Sequence, residues 1–229
     1  MICNLFVFRH AETTDNSNNI FSGWRNPDLT SKGFLQAKEI AKQLEHEKID
    51  YAFTSHLLRA KRTLEIVLKP HLNVPVFIDD RLIERCYGTL QGKSKTAIAD
   101  DNPKWFAKVH RGYDFPPPKG ESMKMVESRT LSFVAQLERW HRQTPGNVAI
   151  SCHGNSMRPI RRVFEQLSLK QMLELENPHD HAMKYALHIH SVSVNEVEER
   201  QLEADWSSVV VSASVKLATD PRNPLKQYY

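Results

Sequence analysis

The stretch ICNLFVFRH, residues 2–10, decides how the chain is read. Its first seven residues are nearly all apolar, which predicts a strand buried on both faces near the centre of a sheet, since a half-exposed strand would alternate with polar residues. The run stops at Arg9 and His10, so the strand's carboxyl end delivers a guanidinium and an imidazole. A second buried run, NVAISC at 147–152, ends the same way at His153. Ligands of open α/β sheets gather beyond the carboxyl ends of the strands, so two strands each ending in a histidine mark a candidate site.

The segments around these strands fit a layered fold. After Thr30, which can cap a helix, residues 31–48 carry Phe34, Ala37, Ile40, Ala41 and Leu44 at helical spacing. Residues 51–54 read as a short strand, 57–68 as a helix, 74–78 as a strand and 121–141 as a long helix. Strand and helix in alternation predict a three-layer α/β/α sandwich with a mostly parallel central sheet. Residues 100–120 contain Pro103, Pro116, Pro117 and Pro118 and predict an irregular cap, part of an insertion over about 80–125. The 229 residues are expected to form one domain, 1–229, with a divergent extension over about 186–229.

Composition narrows the function. With 40% hydrophobic and 25% charged residues the chain is expected to be a folded, water-soluble protein. No apolar run approaches the ~20 residues of a membrane span, and the first strand leads into a polar motif without a cleavage pattern, so the expected address is the cytoplasm. Three cysteines without CxxC spacing predict reduced thiols rather than a disulfide framework or zinc site. A net charge of +4 without long basic blocks suits a small phosphorylated metabolite and argues against nucleic acid.

A neutral imidazole is nucleophilic towards phosphorus, and a neighbouring arginine can hold the phosphate, so Arg9-His10 predicts phosphoryl transfer. By itself an Arg-His pair on a loop is more often structural. The context is TSHLLRA at 54–60 and HGNS at 153–156. With these segments the chain resembles the histidine phosphatase superfamily, whose members open with Arg-His-Gly after the first strand. FSGW at 21–24, LIERCYGTLQGKSK at 82–95, YDFPPPKGESM at 113–123 and HGNSMR at 153–158 resemble its cofactor-dependent phosphoglycerate mutases, over residues 1 to about 185.

The resemblance implies a phosphorylated His10 surrounded by Arg9, Arg59 and His153, and Glu84 as the acid/base group, a role that calls for a raised pKa. It implies that Tyr87, Lys95 and Arg111 hold the carboxylate and phosphate of a phosphoglycerate, with Asn16, Ser22, Gly23, Gly154 and Asn155 near the phosphates. It also implies 2,3-bisphosphoglycerate as primer, no metal, and a possible homodimer. Three positions depart from the pattern: Ala11 replaces glycine, which would strain the loop if φ there were positive; His110 replaces an arginine; Cys86 replaces a histidine.

The leading expectation is a mutase interconverting 3- and 2-phosphoglycerate in glycolysis and gluconeogenesis. The alternative is a phosphatase in which water attacks the same phosphohistidine, favoured by His110 and the unusual segment after Pro178. A silent sensor of phosphometabolites is opposed by the intact set His10, Arg59, Glu84 and His153. His179, His181, His188 and His190 form HxH pairs that could hold a metal from a strand, but no complete ligand set accompanies them and they are read as structural. Residues 206–217 alternate partly as a strand, expected as an added edge strand or at a subunit contact, and the tail from 220 is expected to be irregular.

Overall fold

The structure, a computed structural model, describes residues 2–188. His190, the strand expected over 206–217 and the tail lie outside the described residues. In chain order the elements are β1 (Ile2–Arg9), α1 (Thr14–Ser17), α2 (Ser31–Leu44), β2 (Tyr51–Thr54), α3 (Leu58–Val67), β3 (Val76–Ile78), α4 (Lys95–Asp101), α5 (Pro103–Arg111), α6 (Met123–His141), β4 (Val148–Cys152), α7 (Gly154–Phe164), α8 (Leu169–Glu174) and β5 (Ala182–His188).

The sheet order is β3-β2-β4-β1-β5. β1, β2, β3 and β4 run parallel, and β5 pairs antiparallel along the outer side of β1. β1 alternates between two cores, as the unbroken apolar run predicts. Leu5 and Val7 pack with Phe53, Val148 and Ile150 against Phe133 and Leu137 of α6 and Met157 and Ile160 of α7. Phe6 and Phe8 pack on the opposite face with Ile40 and Leu44 of α2 and Leu64 and Val67 of α3. The result is the expected three-layer sandwich. Each of these side chains, at or below about 8% exposure, contributes roughly 1.5–3 kcal/mol.

Two local expectations need correction. Phe34 does not join the buried face of α2: it is 44% exposed, and Gly33, Ala37, Ile40 and Leu44 face inward. The reason is a close approach at Gly33, where a Cβ would lie 2.2 Å from the Glu12 carbonyl oxygen, so the helix is rotated to put that glycine against the loop after β1. The proline-containing cap is also more regular than predicted. Asn102 caps α5, accepting from the Trp105 N–H, and Pro103 occupies the first turn, where its missing N–H costs nothing. Together with α4 this forms a small second core of Phe21, Tyr87, Leu90 and Val109, backed by Ile98, Trp105 and Phe106.

The register of β1 against β4 places the site. Arg9 pairs with Cys152, and the next N–H, that of His10, donates to the Cys152 carbonyl at 2.9 Å. The residues that follow the two strands, His10 and His153, are therefore neighbours.

Candidate active site

His10 is 2% exposed, and its hydrogen bonds assign its tautomer. Nδ1 lies 2.8 Å from the Ala11 carbonyl, which can only accept, so Nδ1 carries the proton. Nε2 is then the nitrogen with the lone pair, and it accepts from Arg59 Nε at 3.1 Å. Burial, and then the charges of Arg59 and the other groups around it, push the His10 pKa well below the usual histidine value. The ring is held neutral, with its lone pair on Nε2. Ala11 is not among the residues with positive φ, so it causes none of the strain anticipated for it; its N–H donates to Thr63 Oγ1.

Donors surround that nitrogen. Arg59, 1% exposed on α3, also donates through Nη1 to the Arg25 carbonyl and through Nη2 to the Gly23 carbonyl. It thereby ties the loop after β1 to the nucleophile. Gly23 is required there: its φ is +51° and a Cβ would meet the Gln91 side chain. Arg9 donates through Nη1 to the Asn177 carbonyl, while its buried Nε has no partner.

His153 packs on His10 with ring centroids 5.1 Å apart. Ser55 Oγ accepts from the Leu57 N–H and is hydrogen-bonded to His153 Nε2 at 2.7 Å. His153 Nδ1 is buried and has no partner. Burial, followed by Arg59, lowers this pKa well below the usual value too, so His153 is neutral. Buried donors normally find partners. Arg9 Nε, which lines the pocket, is one that does not, and it suits an oxygen of a bound anion.

Glu84 is 7% exposed, and Oε1 accepts from the Arg85 N–H at 2.7 Å, the Asn155 N–H at 3.2 Å and Asn155 Nδ2 at 2.9 Å. All three bonds converge on one oxygen, leaving Oε2 for a ligand. Its backbone carbonyl is held by Trp24 Nε1 at 2.7 Å and by Arg129 Nη2. The expected raised pKa is not found. Burial alone would raise it, but the Arg59 charge, the Arg85 N–H, Asn155 and Arg9 outweigh burial and bring the carboxyl below its usual value. In the free protein Glu84 is an ionised base.

Every residue expected at the site except His153, which stands behind His10, lines one pocket of about 300 Å³. The Tyr87 hydroxyl accepts from Asn155 Nδ2 at 3.1 Å. Asn16 Oδ1 accepts from the Thr13 N–H and so closes the short turn of α1. Lys95 Nζ stands 5.7 Å over the Phe21 ring. Arg111 is more committed than expected: it pairs with Glu176 and donates to the Leu173 carbonyl at 3.0 Å.

The same pocket includes residues the sequence reading had not selected, among them His110, Arg158, Glu176 and His179. His110 stacks on Phe106 at 4.9 Å, and burial, then Arg111, Lys95 and other cations, depress its pKa to about 4. Arg158 donates through Nη1 to Asn155 Oδ1 at 2.6 Å and restores a charge that His110 lacks. The signal for it was present in HGNSMR, since residues 154, 155 and 158 share one helical face. His179 had been assigned to the structural HxH pairs, yet its Nδ1 lies 2.7 Å from the His10 carbonyl.

His10, Glu84 and His153 offer two nitrogens and an oxygen within 4.8 Å of one another. Arg9 and Arg59 place positive charge beside the same atoms, which favours an anion there.

These neutral histidines tie stability to pH. His10, His141 and His153 are buried with depressed pKa values, that of His141 at about 3. Below the unfolded value of ~6.5 the unfolded chain takes up protons that the folded one refuses, so stability falls as pH drops from there towards the folded values. Urea unfolding at pH 7.5 and pH 5 is expected to show a loss of up to about 1.4 kcal/mol per pH unit for each of the three. An unchanged midpoint would contradict their neutral burial.

The sequence profile of the histidine phosphatase superfamily (branch 1) matches residues 5–201. The chain belongs to this superfamily. The 2,3-bisphosphoglycerate-dependent phosphoglycerate mutase of Nitrobacter winogradskyi is 39% identical over 181 residues, covering 75% of this chain and 86% of that protein. The enzyme of the same name from Rhizobium meliloti is 36% identical over 195 residues, covering 82% and 91%. Among solved structures, Bacillus stearothermophilus YhfR superposes with a TM-score of 0.72 at 26% identity, covering 82% of this chain and 92% of that one. A phosphoglycerate mutase from Bacillus anthracis superposes at 0.69 and 19% identity over 81% and 88%, a likeness of fold.

For this histidine phosphatase superfamily member, Arg59→Lys is an informative change. A lysine keeps the charge but cannot bridge the Gly23 and Arg25 carbonyls while donating to His10 Nε2. The expected loss in kcat/KM is on the order of 10²–10³-fold by steady-state kinetics. A loss under about threefold would mean that charge alone suffices.

Proposed function

We propose that the protein is a phosphoglycerate mutase that interconverts 3-phosphoglycerate and 2-phosphoglycerate through phospho-His10, in glycolysis and gluconeogenesis. The observation that carries this reading is a pocket lined with several cations beside the His10 ring. Arg9, Arg59 and His153 stand around the His10 nucleophile, and Lys95, Arg111 and Arg158 line the same pocket. A ligand with two anionic groups fits such a pocket, and relatives 36–39% identical carry the mutase name.

The chemistry follows from the residues. A substrate hydroxyl attacks the phosphorus of phospho-His10 while Glu84 Oε2 takes its proton. The N–P bond electrons return to Nε2, and His10 is left as the neutral Nδ1–H tautomer. Reversal at the substrate's other phosphate reloads His10, with Glu84, now protonated, returning its proton to the leaving oxygen. Arg9, Arg59 and His153 neutralise the oxygens of the moving group, which asks little more of the protein. Arg9 Nε, an unpartnered donor in the pocket, also fits 2,3-bisphosphoglycerate, with Lys95, Arg111 and Arg158 holding its second anionic end. When bound, that primer supplies the phosphoryl group that first loads His10.

A second reading is hydrolysis of a small phosphate ester through the same phosphohistidine. It is favoured by the neutral His110 and by the pairing of Arg111 with Glu176, which thin the positive charge away from His10. To separate the two, the protein is primed with 2,3-bisphosphoglycerate and conversion of 3-phosphoglycerate is followed alongside phosphate release. Fast conversion with little release is the expected result. Release without conversion replaces the mutase by the phosphatase, and absence of phosphohistidine in a trapped sample removes both. Among the described residues no helix is long and apolar enough to cross a membrane. Within this reading the enzyme acts on a small metabolite in the cytoplasm, with a homodimer as its expected assembly.

A further inference from the structure

The third histidine of the pocket has no part in the mechanism above. His179 reaches it through the antiparallel pairing of β5 with β1, in which Phe8 faces Ala182. Continuing that register past the strand ends carries residues 179 and 180 alongside residues 11 and 10. The His179 ring centroid lies 5.6 Å from that of His10, and the ring lines the pocket. Its Nδ1 is 2.7 Å from the His10 carbonyl, and a carbonyl only accepts, so the Nδ1 proton is in place and Nε2 carries the lone pair.

In the empty pocket that arrangement is a neutral acceptor in a place otherwise prepared for an anion. Arg9 and Arg59, which line the pocket beside His10, are donors, and Glu84 is the proton-transfer group of the reading above. An acceptor there would repel phosphoryl oxygens unless it gained a proton. We propose that His179 is a further phosphoryl-binding residue, which takes a proton on Nε2 when an anion occupies the pocket or His10 is phosphorylated and so holds the group as an imidazolium. The phosphoryl arm of this inference rests on the role given to His10; the anion-binding arm does not. The only bond made is N–H on His179, with the proton drawn from solvent.

The charges facing His179 make the change feasible. Burial and then Arg9 hold its pKa at about 4, against the His10 carbonyl, Glu12 and Asp180, which favour the proton. Glu12 is itself paired with Lys32 at 3.0 Å. At an effective dielectric of about 20, each negative charge some 6 Å away is worth about two pKa units, so a bound dianion would bring His179 to roughly 6–8. The proton is then present at working pH only when the phosphoryl group is.

Sulfate is the suitable probe, because its charge is constant between pH 5 and 8. Calorimetry at pH 6 in buffers of different ionisation enthalpy is expected to show uptake of close to one proton per sulfate, with affinity falling about tenfold per pH unit between the free and bound pKa values of His179 and levelling off above the latter. His179→Asn keeps an N–H near the His10 carbonyl but lacks Nε2. It is expected to lose most of the uptake and flatten the pH dependence while binding sulfate within about threefold of the parent at pH 8. Equal uptake in parent and variant would assign the proton to His10 or His153 and overturn the proposal, as would no uptake in the parent. If the variant does not fold, imidazole NMR of the parent decides: the His179 ring, identified by its contact with His10, must titrate above about pH 6 with sulfate and below about 5 without. Sulfate binding requires no phosphohistidine, so loss of the His10 chemistry and failure of this inference give different results.

Discussion

His10→Ala is expected to abolish turnover, with a loss on the order of 10⁵–10⁶-fold, comparable to removing the nucleophile of other covalent enzymes. Nothing else described in the pocket can replace it. His153, the nearest imidazole, has Nε2 bound to Ser55 and does not line the pocket, so it is not presented to phosphorus as His10 is. His179 has Nδ1 bound to the His10 carbonyl, and its Nε2 is not held by an arginine as that of His10 is. The substitution removes the acceptor of Arg59 Nε but leaves the bonds of that arginine to Gly23 and Arg25. The fold is therefore expected to survive. Mass spectrometry after priming with 2,3-bisphosphoglycerate checks the assignment: the phosphoryl group should disappear with His10, and its persistence on another residue would move the nucleophile.

Glu84→Gln is expected to slow turnover by about 10²–10⁴-fold, the usual worth of a positioned acid/base group. The change is close to isosteric. A glutamine Oε1 can accept the same three bonds from Arg85 and Asn155, so the cap and the helix start are kept and only the base at Oε2 is lost. Removing a negative charge beside Arg59 and Arg9 should leave inorganic phosphate binding equal or tighter. Because the Glu84 carboxyl is held below its usual pKa, the activity it supports as a base should persist as pH falls through the range where an exposed glutamate begins to take up its proton. A rate within threefold of the parent, or an equal loss of phosphate affinity, would remove Glu84 from the proton-transfer role.

Much of this was legible in the chain. The apolar run of β1 and its abrupt end at Arg9-His10 announced a buried strand and a site at its tip, because burial on both faces leaves a mark on consecutive residues. The Arg59 segment, Glu84 and HGNS were readable as ordered motifs, and the structure brings all of them to one pocket. Phe34 was misread because helical spacing does not say how far a helix is rotated; the contact between Gly33 and the Glu12 carbonyl does. The cap was misread because prolines break helices in general but open them at the first turn, as Pro103 does.

His179 shows the deeper limit. Within HDHAMKYALHIH nothing separates it from its neighbours, and only the pairing of β5 along β1 carries it to the nucleophile. The ionisation of Glu84 likewise is a sum over Arg59, Arg85, Asn155 and Arg9, which come from separate elements. By itself the sequence determined the layered fold and which motifs meet at the strand tips, since local periodicity and short motifs record burial and chemistry directly. Which proton each group carries, how committed Arg111 is, and that a third histidine stands beside His10 were decided only by the tertiary structure, because electrostatics and strand register depend on distances between residues far apart in the chain.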